Sequence, residues 1–270
     1  MAAVAKGSAG FINNYLSEFK DLVDIDAIDP STGKSALRTA IESGDDRTAA
    51  LLVKKGAQLK AITEMHETPL MLAASAGLNE TVIAMVENGA KIDKSFKVGG
   101  GKTALHFAAQ AGQANTVRTL LTHGATANLK DRLGHTAIFY ACKEGKADVL
   151  EALVIHETFD ETQLKTKHIN ALLLTACNGT DDQGAVDVIK TLFQFGGSVN
   201  CTQEKTGNSM LHIAVESGHL LTATYLLEQA GAEPNATNYN GETAAFFVNG
   251  RNPAMIQLLD AHGITKGKLY

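Results

Sequence analysis

A recurring segment of about ten residues is the feature that most constrains how this 270-residue chain folds. Seven segments share an apolar run with small residues near its end, and all seven finish on Gly. They are SALRTAIESG, TPLMLAASAG, TALHFAAQAG, TAIFYACKEG, ALLLTACNG, SMLHIAVESG and TAAFFVNG. Their first residues, which we call anchors, are Ser35, Thr68, Thr103, Thr136, Ala171, Ser209 and Thr243, and these lie 33, 35, 33, 35, 38 and 34 residues apart. Repeats of roughly 20–50 residues are typical of arrays in which each unit buries its apolar face against its neighbours.

The residue types within each repeat predict two helices joined by a turn. A Thr or Ser at the anchor caps a helix, because its side chain accepts a hydrogen bond from an amide of the first turn. Pro69 suits that first turn, where an N–H is not needed. Glycines end these inner helices, and a second apolar helix follows, as in TVRTLLTHG. The glycines in question are Gly77, Gly112, Gly145 and Gly218.

The pattern resembles the ankyrin repeat, whose Thr-Pro-Leu-His-x-Ala-Ala signature is nearly intact at Thr68–Ala74 and Thr103–Ala109. The resemblance runs from about residue 20 to residue 263. It implies an all-α ankyrin-repeat solenoid of stacked helix-turn-helix units with short hairpin-like loops. We expect a flexible N-terminus (1–10), a single repeat domain (11–263) and a frayed C-terminal tail (264–270). Apolar residues on one helical face predict an N-terminal cap helix over 11–23.

Two segments depart from the repeat length. The loop DKSFKVGGGK (93–102) carries about two extra residues and a run of glycine, and CNGTDDQGAVD (177–187) carries about four between its helices. Insertions of this kind lie in exposed loops, often on a binding face. Neutral variation in a tolerant loop is the other interpretation, and the sequence leaves both open.

A nucleotide-binding loop is excluded by spacing. Gly101, Lys102 and Thr103 match the end of a P-loop, but the position that requires its first glycine holds Phe96, and the preceding segment is too polar for a buried strand. A second near-match at residues 31–37 fails in the same way, with Ile28 in place of glycine. Both segments are copies of the repeat loop.

Histidines and cysteines form no recognisable catalytic or metal-binding set. His106 and His212 hold the signature His position, where the resemblance implies a bond to the loop backbone, and Ser209 before His212 is a capping residue. No His-Glu-x-x-His spacing occurs. Cys142 and Cys177 occupy equivalent positions about 10 Å apart, the spacing of packed helices, which favours buried residues over a disulfide. We expect no metal, no cofactor, no catalytic residue and no enzymatic activity.

Composition limits the class of partner. The net charge is −5 and the 24 basic residues are scattered, which disfavours nucleic-acid binding. No apolar run approaches the length of a membrane span. Unpaired thiols, including Cys201 on a predicted loop, weakly favour a reducing compartment. We therefore expect a cytoplasmic monomer, and an exported protein whose signal peptide has been removed is the alternative.

The resemblance implies that loop tips and exposed faces of the inner helices line a concave groove that binds another protein. Apolar side chains at such tips suit an interface. The residues so assigned are Met65, Glu67, Phe96, Val98, Lys102, Gln110, Arg132, Leu133, His135, Lys143, Glu144, Lys205, Asn208, Glu216, Tyr239 and Asn240. Lys167, His168 and Asn170 would be the tip of the fifth repeat, but Ile169 replaces its loop glycine. We expect a non-catalytic module that occludes or inhibits a partner enzyme. An adaptor tethering two proteins is the alternative, and an enzyme or small-ligand binder is a distant one.

Overall fold

The computed structural model describes residues 9–18, 24–59, 66–96, 98, 100–156, 166–248 and 252–265. Within these ranges the backbone is helical, with isolated β-bridges at Ile28–Ser35 and Thr202–Ser209 and no strand. The helices are α1 (Ala9–Glu18), α2 (Ala36–Glu42), α3 (Asp46–Lys54), α4 (Pro69–Ala76), α5 (Asn79–Glu87), α6 (Ala104–Ala111), α7 (Ala114–Thr122), α8 (Ala137–Lys143), α9 (Ala147–Ile155), α10 (Thr166–Cys177), α11 (Asp182–Gln194), α12 (Met210–Ser217), α13 (Leu220–Glu228), a 3-10 helix (Ala244–Phe247) and α14 (Pro253–Ala261).

The described residues fall into two compact units. The first lies within Met1–Ala137 and Ile155–Thr158 and contains α1–α7. The second lies within Ile138–Val154 and Phe159–Tyr270 and contains α8–α14 except for the boundary residues Ala137 and Ile155. In the first unit α4 packs between α2 and α6, while α5 packs between α3 and α7. In the second, α12 packs against α10 and the 3-10 helix, and α13 packs against α11 and α14. Each unit therefore has a layer of inner helices and a layer of outer helices.

Capping residues define the inner helices as predicted. The Thr68 side chain accepts a hydrogen bond from the Met71 amide at 3.2 Å, and Gly77 ends α4 with φ of 77°. Ser35 and Ser209 cap α2 and α12, and Gly112 and Gly218 end α6 and α12 in the same left-handed conformation. Because a side chain is strained at that φ, glycine is the residue that stops each helix with least cost.

Small residues allow the inner helices to pack closely. Ala73 and Ala74 of α4, and Ala108 and Ala109 of α6, are fully buried between neighbouring helices of the first unit. Larger apolar side chains such as Leu105 fill the space between the layers, and each stabilises the fold by roughly 1.5–3 kcal/mol relative to exposure. The alanine pairs of the sequence are therefore contacts between repeats.

A side-chain link joins consecutive outer helices. Asp46, at the start of α3, accepts hydrogen bonds from the amides of Glu80 (3.0 Å) and Thr81 (2.8 Å) and from the Thr81 hydroxyl (2.7 Å). Asp182, at the start of α11, binds Thr222 in the same way, at 2.9 Å to its amide and 2.8 Å to its hydroxyl. Each carboxylate thus caps the N-terminus of the following outer helix, where the helix dipole favours a negative charge.

The fifth repeat differs from its prediction. Its inner helix α10 begins at Thr166, five residues before the Ala171 anchor, so Lys167 and Asn170 lie in the helix and not at a loop tip. Ile169, which replaces the loop glycine, is 1% exposed, and this burial carries the helix through the position where other repeats turn. Most of the later insertion lengthens α11, which has 13 residues where α5 has nine.

The chain ends also differ from their prediction. Ala9 and Gly10 belong to α1, which therefore begins two residues before the predicted cap helix and packs against α3, while residues 19–23 lie outside the described residues. Ile264 is buried, and the Thr265 carbonyl accepts a hydrogen bond from the Thr243 hydroxyl at 2.8 Å. The start of the predicted tail is thus held by burial and a hydrogen bond to the last anchor, so it is not frayed there.

Replacing Asp182 tests the link between outer helices. Asp182→Ala leaves the amides at the start of α13 without their acceptor, and we expect it to lower the free energy of unfolding by about 1–2 kcal/mol. Asp187→Ala, an exposed carboxylate on the same helix, is the matched control and should change it by less than about 0.5 kcal/mol. Urea unfolding followed by circular dichroism measures both variants, and equal stabilities would contradict the assigned role of Asp182.

Candidate functional site

Two neighbouring loop tips of the first unit carry exposed apolar side chains. Val98 and Leu133 are each 75% exposed. Their loops are joined by a hydrogen bond from the Arg132 amide to the Gly100 carbonyl at 2.9 Å. Gly101 lies against this contact, because a Cβ there would come within 3.0 Å of the Arg132 nitrogen. The glycine run therefore has a structural use, since it brings two tips together and leaves Val98 in solvent.

Phe96 does not project from its loop as predicted. The ring is half-buried, with the His66 ring edge-on at a centroid distance of 6.3 Å and the Lys94 ammonium 4.7 Å from its centroid. These two neighbours cover part of the ring. Phe96 therefore supports the loop, and its face is less open to a partner than those of Val98 and Leu133.

A second pair of neighbouring tips lies in the second unit. Tyr239 is 70% exposed, and its amide donates to the Thr206 carbonyl at 3.0 Å. Its ring lies on Gly207, where a Cβ would be 2.5 Å from the ring carbon Cδ1. Beside it, Asn240 is exposed, and its amide donates to the side chain of Asn238 at 2.9 Å. The outer face of the tyrosine ring is thus presented to solvent on a fixed backbone.

Asn208 is not available at the surface, which corrects its assignment as a tip residue. It is 6% exposed, and its side-chain oxygen accepts a hydrogen bond from the Asn238 amide group at 2.9 Å. Asn238 also donates to the Glu242 carboxylate at 2.9 Å. Asn208 therefore joins two loops from within, a role that the spacing to its anchor did not reveal.

Polar residues of the tips shape the loops from inside. The Asp131 carboxylate accepts hydrogen bonds from the amides of Leu133 (2.8 Å) and His135 (2.9 Å). Asn238 plays the same part in the second unit, accepting from the amides of Asn240 (2.9 Å) and Glu242 (3.0 Å). A short polar side chain that bonds to amides two and four residues later closes a tight turn. Asp131 and Asn238 were not predicted from the sequence, although a short polar residue five positions before an anchor is a usable signal.

The remaining assigned residues occupy varied surroundings. Lys102, which precedes α6, donates to Gln110 near the end of that helix at 2.7 Å, so the two side chains engage each other. Arg132, Lys143, Lys205 and Glu216 are exposed, and Glu67 and His135 are half-buried. Met65 lies outside the described residues. The engagement of Lys102 agrees with the exclusion of a phosphate-binding loop.

An open groove of about 970 Å³ lies on the inner helices of the second unit. We call it the second-unit groove. Its walls come from α8, from the exposed side of α10 and from the loop Thr202–Thr206. Lys143, Lys167 and Lys205 line it, and the Lys167 ammonium forms an ion pair with Glu204 at 2.7 Å. The hydrogen bond between these two side chains raises the pKa of Lys167 and lowers the pKa of Glu204, so both groups stay charged at neutral pH.

The insertion after α10 docks on the preceding repeat. The Thr180 amide donates to the Lys143 carbonyl at 3.1 Å, and the Thr180 hydroxyl donates to Glu144 at 2.8 Å. Gly184, inside α11, lies so close to Gly145 that a Cβ on Gly145 would be 2.8 Å from the Gly184 Cα. These contacts give the insertion a structural role, because they hold it against Lys143 and the Glu144 side chain of the preceding repeat.

The two signature histidines are structural, as the resemblance implied. Nδ1 of His106 lies 3.1 Å from the Thr103 amide, and its Nε2 lies 3.2 Å from the His135 carbonyl. In the second unit Nδ1 of His212 lies 3.2 Å from the Ser209 amide, and Nε2 lies 2.9 Å from the carbonyl of Glu242. Each imidazole joins the start of its inner helix to the loop of the next repeat. Burial lowers the pKa of both histidines, which favours the neutral ring.

The thiols are buried. Cys142 and Cys177 are inaccessible, and burial raises the pKa of both. Cys201, predicted on a loop, is also buried, with its sulfur 3.7 Å from the Asn170 carbonyl and its pKa raised to about 11. Across the ranges that the structure describes, no three His, Cys, Asp or Glu side chains are grouped to hold a metal ion. In the same ranges, no helix has both the length and the apolar character needed to cross a membrane.

Comparisons with known proteins agree with this architecture. Residues 1–96 and 91–165 match the family described as ankyrin repeats (3 copies), and residues 211–259 match the one described as ankyrin repeats (many copies). Among solved structures, the human ASB11 ankyrin repeat domain matches with a TM-score of 0.65 and 25% identity, covering 84% of this chain and 97% of that domain. The predicted all-α ankyrin-repeat fold is confirmed.

Sequence relatives include proteins of several kinds. A Caenorhabditis elegans homolog of transient receptor potential cation channel subfamily A member 1 is 37% identical over 122 residues, covering 45% of this chain and 10% of the relative. The Mus musculus B-cell lymphoma 3 protein homolog is 31% identical over 182 residues (63% and 40%). Mus musculus NF-kappa-B inhibitor zeta is 27% identical over 217 residues (78% and 29%). The chain thus spans less than half of the length of each of these relatives.

The buried histidines predict a loss of stability on mild acidification. Their folded-state pKa lies below the ordinary value of 6.5, so the unfolded chain binds protons first and the free energy of unfolding falls as the pH drops through that value. Urea unfolding at about pH 7.5 and about pH 5.5 should show this decrease. His106→Gln should reduce the difference between the two pH values, whereas His123→Gln, at an exposed site, should preserve it. An unchanged difference in His106→Gln would contradict the assignment.

Proposed function

The chain belongs to the ankyrin-repeat family, and we propose that it is a non-catalytic module whose loop tips bind a partner protein and occlude part of it. Ankyrin repeats are protein–protein interaction modules, so the broad class follows from the family. The finer proposal concerns which surface binds and what binding does to the partner.

The exposure of three large apolar side chains at ordered tips carries the proposal. Val98, Leu133 and Tyr239 are 70–75% exposed, and each lies on a loop that is hydrogen bonded to the loop of a neighbouring repeat. Such side chains gain little from folding, whereas apolar and aromatic residues in the centre of an interface contribute much of its affinity. A fixed backbone lowers the entropy lost on binding, because the loop is ordered before the partner arrives.

The name of one sequence relative favours occlusion. NF-kappa-B inhibitor zeta, which aligns with 78% of this chain, carries inhibition in its name. We extend that role to this chain, with a partner that is an enzyme or another protein whose surface must be exposed to act. His106, His212 and the three cysteines hold structural positions, as their contacts and burial show, which supports a role in binding.

An adaptor is the second candidate, and one observation favours it. Each of the two compact units has its own pair of hydrogen-bonded tips, with Val98 and Leu133 in the first and Tyr239 in the second. Two separate partners would then be held by one chain. The number of different proteins in a captured complex, measured by native mass spectrometry, distinguishes the adaptor from a module that covers one partner.

The proposal is tested by capture from an extract of the source organism. We expect wild-type protein to retain a partner that Val98→Ala/Leu133→Ala/Tyr239→Ala binds at least about tenfold more weakly, because interface anchors contribute this much when truncated. The matched control is Ile155→Ala/Leu221→Ala/Ile256→Ala, which removes three exposed apolar side chains that lie outside the tips. This control should retain the partner as wild type does.

Unfolding measurements separate binding from stability in this test. The tip variant should unfold within about 0.5 kcal/mol of wild type, as surface substitutions usually do. Equal capture by the tip variant and wild type would contradict the proposed surface. Titrating the captured partner's activity with this protein then tests occlusion, and undiminished activity in a saturated complex would contradict it.

A further inference from the structure

We propose that the second-unit groove binds an acidic segment of the partner protein. The inference rests on the proposed function and adds the chemistry of what is recognised. It concerns the groove between α8, α10 and the loop Thr202–Thr206, and not the apolar tips.

Charge in the groove is the first argument. Three lysines line it, Lys143 from α8, Lys167 from α10 and Lys205 from the loop, against a single carboxylate, that of Glu204. The whole chain has a net charge of −5, so the groove is more positively charged than the chain as a whole. A carboxylate-rich segment is electrostatically complementary to it, and complementarity of this kind raises the association rate and selects the partner.

The amide groups in the groove are the second argument. The Asn170 side-chain oxygen accepts a hydrogen bond from the Ser198 amide at 3.1 Å, and the Gln203 oxygen accepts one from the Thr206 hydroxyl at 2.8 Å. Because the two oxygens are engaged, the side-chain groups that Asn170 and Gln203 can still offer a ligand are N–H donors. Donors and ammonium groups together suit a ligand rich in acceptors, such as carboxylates and peptide carbonyls.

The apolar part of the lining favours a peptide over other polyanions. Phe139, Ala171 and Leu174 line the groove beside the lysines, and an acidic segment with interspersed apolar residues can contact both kinds of surface. A nucleic acid would instead gain most of its affinity from many phosphate contacts, and three lysines supply few. The open shape also suits a segment that lies across the surface and not a small molecule that needs enclosure.

The ion pair within the groove predicts a variant with tighter binding. Lys167 and Glu204 are both largely exposed, so their pair stabilises the fold little and an incoming carboxylate can take the place of Glu204. Glu204→Gln removes that competitor and a repulsive charge. We expect this variant to bind an acidic peptide about threefold more tightly than wild type. An unfolded variant would not bind more tightly, so the result does not depend on stability.

The test measures fluorescence anisotropy of labelled peptides with the full chain. The probes are a short peptide of alternating Glu and Leu and its counterpart with Gln in place of Glu. The Glu peptide should bind more tightly, and added salt should weaken it through screening. Lys143→Gln/Lys205→Gln should weaken it about tenfold. Lys54→Gln/Lys91→Gln, which removes the same charge from exposed positions in the first unit, should have no effect.

Three outcomes would overturn the inference: equal binding of the Glu and Gln peptides, unchanged affinity in Lys143→Gln/Lys205→Gln, or tighter binding of a short oligothymidylate than of the Glu peptide. None of them bears on the tips. Capture of a partner that depends on Val98, Leu133 and Tyr239, without selective binding of the Glu peptide, would overturn this inference and leave the proposed function standing. Selective binding of the Glu peptide, without capture that depends on the tips, would overturn the proposed role of the tips and leave this inference standing.

Discussion

The close approach of neighbouring inner helices is the constraint on which the rest of this structure depends. One helix pair exposes an apolar face that it cannot bury by itself, so its neighbour must come near enough to cover it. The fully buried alanines of α4 and α6 permit that approach. Once the helices are this close, each inner helix must begin at its anchor and end at its glycine. The loop must then leave the helices at a fixed position in each repeat.

Polar bonds between repeats fix the details that packing leaves open. Asp46 and Asp182 each cap the outer helix of the next repeat, and His106 and His212 each reach the carbonyl of the next loop. The tips are closed by Asp131 and Asn238, whose side chains bond to their own loops. Side chains such as Leu133 and Tyr239 carry none of these bonds, so they are open to change without loss of the fold, which is how one scaffold serves many partners.

Features that repeat along the chain could be predicted from sequence. Anchors and helix-ending glycines were predicted because they follow from local backbone needs that recur in most copies, and the signature histidines were predicted in the two copies that carry them. Features that depend on one tertiary contact could not. Asn208 is buried by a partner from the next loop, Phe96 is covered by His66, and Cys201 is buried beside Asn170. In the fifth repeat, the apolar Ile169 at a loop position was the sequence feature that indicated an earlier start of the helix.

Hydrogen–deuterium exchange of the protein with and without its captured partner is the most direct test that the tips, and not the outer helices, form the binding surface. We expect slower exchange on binding in the loop tips and unchanged exchange in α5, α7 and α13. The tip segments are Val98 and residues 100–102, 131–135 and 238–242. Protection confined to the outer helices, with the tips exchanging as in the free protein, would contradict this expectation.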